Sequence, residues 1–272
     1  MTEKILVVLL HGIGDSLMVA PALHSLKQKY SGCTLSVMTI KQPVFQELWK
    51  YNKDVDEVIF SSLSHNPRYG SPFFWLGDYW TIRRDIRQAM KTYGFTQVYF
   101  VKMFLMPAKI YSLLHLARYE EHKTFKVAHE LGVELDTPRY HLEYGKDDRA
   151  WAELFLHERK LDPDILVGLH ASGSHPSKSL PADALAEVVV MLKSLGYQIV
   201  LFHSRASYER DKSHIPAGIE VCVADHLLHA GALVGSFNFL ICIDSGVVDI
   251  AAALNIKLFS IHSFFNKIKK FF

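Results

Sequence analysis

The chain has 272 residues, 49% of them hydrophobic and 21% charged, with a formal net charge of +2. That length supplies more than one modest hydrophobic core, and the near-balanced charge excludes a dominant nucleic-acid-binding surface. Three widely spaced cysteines, Cys33, Cys222 and Cys242, lack metal-ligand spacing and fit a reducing compartment.

The start, MTEKILVVLLHGIG, does not read as a signal peptide: its apolar run is short and is broken by His11. No stretch reaches the roughly 18 apolar residues needed to span a bilayer. The expectation is a soluble cytoplasmic protein. Strands are predicted at 5–10 (ILVVLL), 34–39 (TLSVMT), 57–60 (EVIF) and 97–102 (QVYFVK). Their near-continuous apolar character is that of parallel strands covered on both faces. Helices are predicted at 15–29, where Leu17, Ala20, Leu23 and Leu26 recur at helical spacing, and at 81–93. Residues 62–80 mix Pro, Gly, Ser and aromatic residues and read as a long loop or lid.

A second alternating series follows Gly145. A helix is predicted at 147–160, with Asp147 as a candidate N-cap. Strands follow at 165–170, 198–203, 220–225, 239–245 and 257–262, with helices at about 182–195, 226–236 and 247–254. Strand–helix alternation of this kind builds parallel sheets. Two such series predict an α/β protein with two Rossmann-like domains facing a central cleft, 1–144 and 145–272.

In parallel sheets, ligands bind where strands end and helices begin. The first such turn, His11-Gly-Ile-Gly-Asp15, permits a tight backbone and an anion at the helix start. A dinucleotide loop needs a third glycine where Leu17 stands, and the acidic ribose ligand is missing from TLSVMTIKQ, 34–42. Both absences disfavour a nucleotide-dependent oxidoreductase. Asp15 reads either as a helix cap or as a functional carboxylate. The second turn, HASGSHPSKSLP (170–181), presents Ser172, Ser174 and Lys178 at a helix entrance suited to phosphate oxygens. In the third, CIDSGVVDIAAALNI (242–256), Asp244 ends a strand and Ser245-Gly246 opens a helix rich in alanine. Here backbone amides can meet an anion, and Asp244 reads either as an acceptor for sugar hydroxyls or as a cap at the strand end. The fourth, FHSRASYERD (202–211), offers Glu209 as a ribose ligand or as an ordinary surface charge.

Taken in order, "LMVAPALHSLKQKY" after Gly14-Asp15, "VGLHASGSHPSKSLP" and "FLICIDSGVVDIAAALNI" resemble the heptosyltransferases of glycosyltransferase family nine. The resemblance implies a GT-B fold and inverting transfer of a sugar, heptose from ADP-heptose, to a lipopolysaccharide-core or related glycan acceptor. It implies no cofactor and no metal. The N-terminal domain would bind the acceptor and the C-terminal domain the nucleotide sugar. Asp15 would be the general base, with Gly14 admitting the acceptor. Lys178 would meet the charge on the leaving diphosphate. Ser245 and Gly246 would donate amides, Asp244 would orient the donor sugar, Glu209 would hold the ribose, and Ser172 or Ser174 would add a hydroxyl. Asp15, Lys178 and Asp244 would then line one cleft.

Three features depart from the family pattern. Asp249 stands at a substrate-binding position where a histidine is usual, His203-Ser204 follow a strand where glycine or serine is usual, and the chain ends soon after KLFSIH with SFFNKIKKFF. That end reads as a basic amphipathic foot on the inner membrane's cytoplasmic face or as a frayed terminus. Asp249 and the short end motivate the alternative, a non-catalytic GT-B descendant that binds a partner or a glycan.

Overall fold

The first strand, β1 (Lys4–Leu9), buries Ile5 through Leu9 completely. A strand so apolar is stable only inside a sheet covered on both faces. In the computed structural model, which describes residues 2–67, 77–102, 122–173 and 178–262, β1 is that central strand. The chain divides into two compact units, Met1–Tyr140 and His141–Phe272.

In the first unit β1 is followed by α1 (Ile13–Lys29), β2 (Thr34–Thr39), α2 (Pro43–Trp49), β3 (Glu57–Phe60), α3 (Tyr79–Tyr93), β4 (Gln97–Phe100) and α4 (Lys123–Leu131). The sheet order is β3-β2-β1-β4, parallel throughout. The chain thus moves outward from β1 and then returns to its other side, making a switch point between β1 and β4. Helix α1 buries Leu17, Val19, Ala20, Leu23 and Leu26 and packs on α4. It starts at Ile13, two residues before the prediction, with Gly12 as N-cap and Asp15 inside its first turn. The cap reading of Asp15 is therefore corrected. Gly12, in an extended conformation (φ −72°, ψ 171°), takes that position. Helix α3 begins at Tyr79, within the stretch read as loop. Helices α2 and α4 escaped the periodicity reading because they are only 7 and 9 residues long.

The second unit contains α5 (Lys146–Glu158), β5 (Leu166–His170), α6 (Ala182–Ser194), β6 (Gln198–Ser204), α7 (Arg205–Asp211), β7 (Glu220–Ala224), α8 (Leu227–Val234), β8 (Phe239–Ile243), α9 (Gly246–Ala253) and β9 (Lys257–Ile261). Its sheet, β7-β6-β5-β8-β9, is again all parallel and has its switch point between β5 and β8. Leu185, Val189 and Leu192 of α6 pack on Val167, Leu169, Ile199 and Leu201 of the sheet. Gly168 is dictated by close approach: a Cβ there would lie 2.3 Å from the Phe237 ring. Helix α5 begins one residue earlier than expected. Gly145, not Asp147, is its N-cap, and the Asp148 carboxylate accepts from the Gly145 N–H at 2.8 Å. Residues 68–76 of the loop or lid predicted at 62–80, Ser174 and the basic end at 263–272 lie outside the described residues. Among the described residues no helix is long and apolar enough to cross a membrane.

Candidate active site

Each unit has one switch point; Gly14 and Asp15 lie at the first, Ser172, Lys178, Asp244, Ser245, Gly246 and Asp249 follow the strands of the second, and Glu209 lies apart, on α7 after β6. In the first unit, β1 runs into His11, Gly12, Ile13, Gly14 and Asp15. His11 is buried, and desolvation, opposed by a hydrogen bond with the Val101 backbone beyond β4, drives its pKa down to about 3. It is a neutral imidazole that ties the two strand ends together. Gly14 is buried in the first turn of α1, which leaves that turn without bulk. Asp15 is one-third exposed, and its Oδ1 lies 3.5 Å from Nζ of Lys123 on α4. Beside the helix start a cavity of about 560 Å³ is lined by Gly12, Ile13, Ile40, Gln42, Phe45 and His65. Its polar rim is held in place: Gln42 Nε2 donates to Ser64 O at 3.0 Å, and His65 Nε2 lies 3.2 Å from Asp78.

The second unit repeats the device. His170 ends β5 as His11 follows β1, and both precede a turn with glycine three residues on, Gly14 and Gly173. Burial, reinforced by nearby His203, lowers the His170 pKa to about 4. Its Nδ1 lies 3.3 Å from Ser245 Oγ and 3.7 Å from Cys242 Sγ, across the β5–β8 switch point. Ser245 N-caps α9, its Oγ accepting from the Val247 N–H at 3.3 Å, and Gly246 is the first helical residue. Burial pushes the Cys242 thiol up to about 12, so it is a packed thiol and not a nucleophile. Asp244 follows β8, its N–H donating to Ile261 O at 3.1 Å. Asp249 lies in the first turn of α9, half-buried. The charges of Asp244 and Asp249 are both felt at Cys242, which places two carboxylates around this helix start.

Lys178 is held at the same switch point by the backbone after β5. Leu180 N–H donates to Ala171 O at 2.8 Å, and Gly173 N–H to Ser179 Oγ at 3.0 Å. A Cβ on Gly173 would lie 2.7 Å from Lys178 Cβ, so only glycine lets the loop fold on itself. Arg210 on α7 donates to Gly173 O at 3.1 Å. It also clasps the Asp211 carboxylate, both oxygens at 2.8 Å, which holds the Asp211 pKa at about 2.

Two of the predicted residues already have partners. The Ser172 hydroxyl is buried between His203 Nδ1, at 3.3 Å, and Asp211. Glu209 is exposed and paired with Lys212 at 2.7 Å, which lowers its pKa. Lys123, His170, His203 and Arg210 went unassigned in the sequence. His170 and His203 each stand at a strand end, the one signal that marked them. Lys123 carries none, because its partner Asp15 lies far back along the chain, and the bond from Arg210 to Gly173 O is equally non-local, although Arg210 also pairs with its neighbour Asp211. Among the described residues no three His, Cys, Asp or Glu are placed to share a metal ion.

The sequence profile of glycosyltransferase family 9 (heptosyltransferase) matches residues 112–267, more than half of the chain. The chain belongs to glycosyltransferase family 9. No curated protein sequence matches it. Among solved structures, a family 9 glycosyltransferase from Veillonella parvula is similar over 96% of this chain and 82% of its own, at 19% identity and a TM-score of 0.73. The ADP-heptose lps heptosyltransferase II of E. coli is similar over 94% and 84%, at 18% identity and a TM-score of 0.63. E. coli heptosyltransferase WaaC, solved with ADP-2-deoxy-2-fluoro heptose, is similar over 94% and 88%, at 19% identity and a TM-score of 0.62. The iron-containing dodecameric glycosyltransferase TibC of enterotoxigenic E. coli is a more distant likeness, over 95% of this chain and 57% of its own at a TM-score of 0.59. The family member described here thus has the α/β, GT-B type fold of a heptosyltransferase-type transferase.

Proposed function

We propose that this family 9 chain transfers heptose from ADP-heptose, with inversion and without a metal, to a hydroxyl of a lipopolysaccharide-core or related glycan. One observation supports the reading: a partly exposed carboxylate stands at one switch point, and a lysine and a helix N-terminus stand at the other. The first presents a partly exposed carboxylate, Asp15, beside a cavity lined by both apolar and polar side chains. The second presents Lys178 and the N-terminus of α9. The first suits a hydroxylic acceptor and the second a diphosphate.

In this reading Met1–Tyr140 binds the acceptor and His141–Phe272 the donor. Asp15 takes the proton of the attacking hydroxyl as its oxygen bonds to the anomeric carbon. The bond from that carbon to the diphosphate breaks, and the electron pair leaves with ADP. Lys178 and the amides of Ser245 and Gly246 meet the charge that builds on the phosphates. Lys123 balances Asp15 while the acceptor is absent. Asp244 orients the donor sugar. Glu209 would hold the ribose after exchanging Lys212 for it, and Ser174 would add a hydroxyl to the phosphates. Ser172 instead supports the loop through Asp211 and His203. Such an enzyme works in the cytoplasm, at the inner face of the inner membrane where its acceptor is carried.

Asp249 favours a second reading. A carboxylate in the first turn of α9 occupies the electrostatic role that a bound anion would fill. A descendant that keeps the fold but binds a glycan or a partner would show it. Calorimetric titration with ADP and UDP, with and without magnesium, separates the two. Metal-independent binding of ADP in preference to UDP is expected for the transferase. Binding of neither nucleotide would overturn it in favour of the non-catalytic reading.

A further inference from the structure

Helix α3 carries one stripe at helical spacing: Asp78 at its N-cap, then Ile82, Asp85 and Ala89. Ile82 and Ala89 are buried, so this is the inward stripe. The two carboxylates on it are largely covered as well, with the Asp78 and Asp85 side chains 18% and 10% exposed. A covered carboxylate needs donors, because unpaired it bears the full cost of desolvation. Both carboxylates find them in the segment 61–66, directly after β3.

Asp85 makes most of these bonds. Its Oδ2 accepts from Ser61 Oγ and from the Ser62 N–H, each at 2.7 Å, and from Ser62 Oγ at 2.8 Å. The donors are themselves fixed. Ser61 Oγ, in a buried residue, accepts from the Leu63 N–H at 3.2 Å, and Ser62 Oγ accepts from Arg84 at 2.9 Å. Burial opposes ionisation of Asp85, but the bonds from Ser62 and Ser61 outweigh it and hold its carboxyl below the usual pKa. On its other side the segment is tied to the end of β2 and the turn beyond. Ser61 N–H donates to Thr39 O at 2.8 Å, Lys41 N–H to Leu63 O at 2.6 Å, and Gln42 Nε2 to Ser64 O at 3.0 Å. The next residues, Ser64, His65 and Asn66, line the cavity beside the start of α1.

We infer that Asp85 is a positioning residue: its carboxylate fixes the 61–66 segment as a wall of the cavity at the first switch point, and through Ser64, His65 and Asn66 it sets the affinity for the acceptor. The inference rests on the reading of Met1–Tyr140 as the acceptor-binding unit.

The test measures initial rates with ADP-heptose and a heptose-deficient lipopolysaccharide core, beside amide hydrogen exchange over residues 61–66. Asp85→Asn keeps the shape but loses the charge and turns one acceptor atom into a donor. Exchange over 61–66 should quicken about tenfold. The acceptor KM should rise about tenfold, since re-ordering even one loop residue on binding costs about that factor. The kcat should stay within about threefold, and the ADP Kd should not move, because neither depends on this wall. Ser62→Ala, at an exposed residue, removes one of the bonds and should raise the acceptor KM about threefold; it carries the test if Asp85→Asn does not fold. Ala89→Gly weakens the same helix stripe without touching the segment, so it should lower Tm and leave the acceptor KM unchanged. Transfer with an unchanged acceptor KM in the Asp85 and Ser62 variants overturns the inference alone. Unaltered exchange in Asp85→Asn, or an equal rise of KM in Ala89→Gly, does the same. Absence of transfer by the wild-type chain overturns the transferase reading, and the acceptor role of Asp85 falls with it.

Discussion

Asp15→Asn separates the chemistry of Asp15 from its contribution to the fold. The substitution removes a charge but keeps shape and hydrogen-bonding capacity in the first turn of α1. The structural loss is one ion pair, Asp15 with Lys123 at 3.5 Å, whose partners are 35% and 52% exposed. At the dielectric constant of water, that separation is worth ~1.2 kcal/mol before side-chain ordering is subtracted. Exposed pairs of this kind typically yield about 0.2–1 kcal/mol. For a unit of this size, the expected fall in Tm is only a few degrees. Loss of a general base is far larger, about 10²–10⁴ in rate, or roughly 3–5 kcal/mol of barrier. ADP affinity should not change, because the proposed phosphate contacts belong to the other unit. Initial rates with ADP-heptose and a lipopolysaccharide-core acceptor, Tm by calorimetry and ADP affinity together resolve the effect. A variant with wild-type Tm and a kcat within threefold of wild type would refute the assignment of the base.

Lys178→Ala should weaken ADP binding by about 10–100-fold and lower turnover, the loss expected of a charge-assisted contact to phosphate; an unchanged Kd would remove Lys178 from the diphosphate site. Asp249→Asn should tighten ADP binding by about 2–5-fold, since it removes a carboxylate from the turn where the anion would sit; a calorimetric Kd that does not fall would show that Asp249 faces elsewhere. His11 and His170 have folded pKa values of about 3 and about 4, below the 6.5 of a free imidazole. Between those values and 6.5 the unfolded chain holds the extra protons, so their contribution is complete above pH 6.5 and is lost as pH falls towards 4. Each should remove about 1–2 kcal/mol of stability between pH 6.5 and 5, measured by urea unfolding, and a flat profile in that window would contradict it. Gly168→Ala should destabilise the C-terminal unit by about 1–3 kcal/mol, because the new methyl meets the Phe237 ring at 2.3 Å; an unaltered urea midpoint would show that the ring moves aside freely.

Strand identity was most legible in the sheet interiors, because a parallel strand covered on both faces must be apolar along its whole length, as in Ile5–Leu9 and Leu166–Leu169. Helix starts were less legible. Gly12 and Gly145 cap by backbone conformation and leave no side-chain signature, so Asp15 and Asp147 looked like the caps. The turns that carry the candidate chemistry could be located because glycine, serine and lysine there punctuate an otherwise apolar pattern.

The sequence by itself determined that this is an α/β chain of two strand–helix series and where its strand–helix turns fall, since hydrophobic periodicity and turn composition are local properties. Its motifs also determined the family resemblance. Only the tertiary structure decided which of those turns meet. The returns of β4 beside β1 and of β8 beside β5 create the two switch points, and strand order is a long-range choice that no local pattern encodes. The same holds for side-chain hydrogen bonds and charge pairs. Lys123 reaches Asp15, His170 reaches Ser245, and Ser172 sits between His203 and Asp211 only because folding brings distant residues together. Burial then sets which of those groups is charged, because desolvation acts on a side chain only after the chain has closed around it.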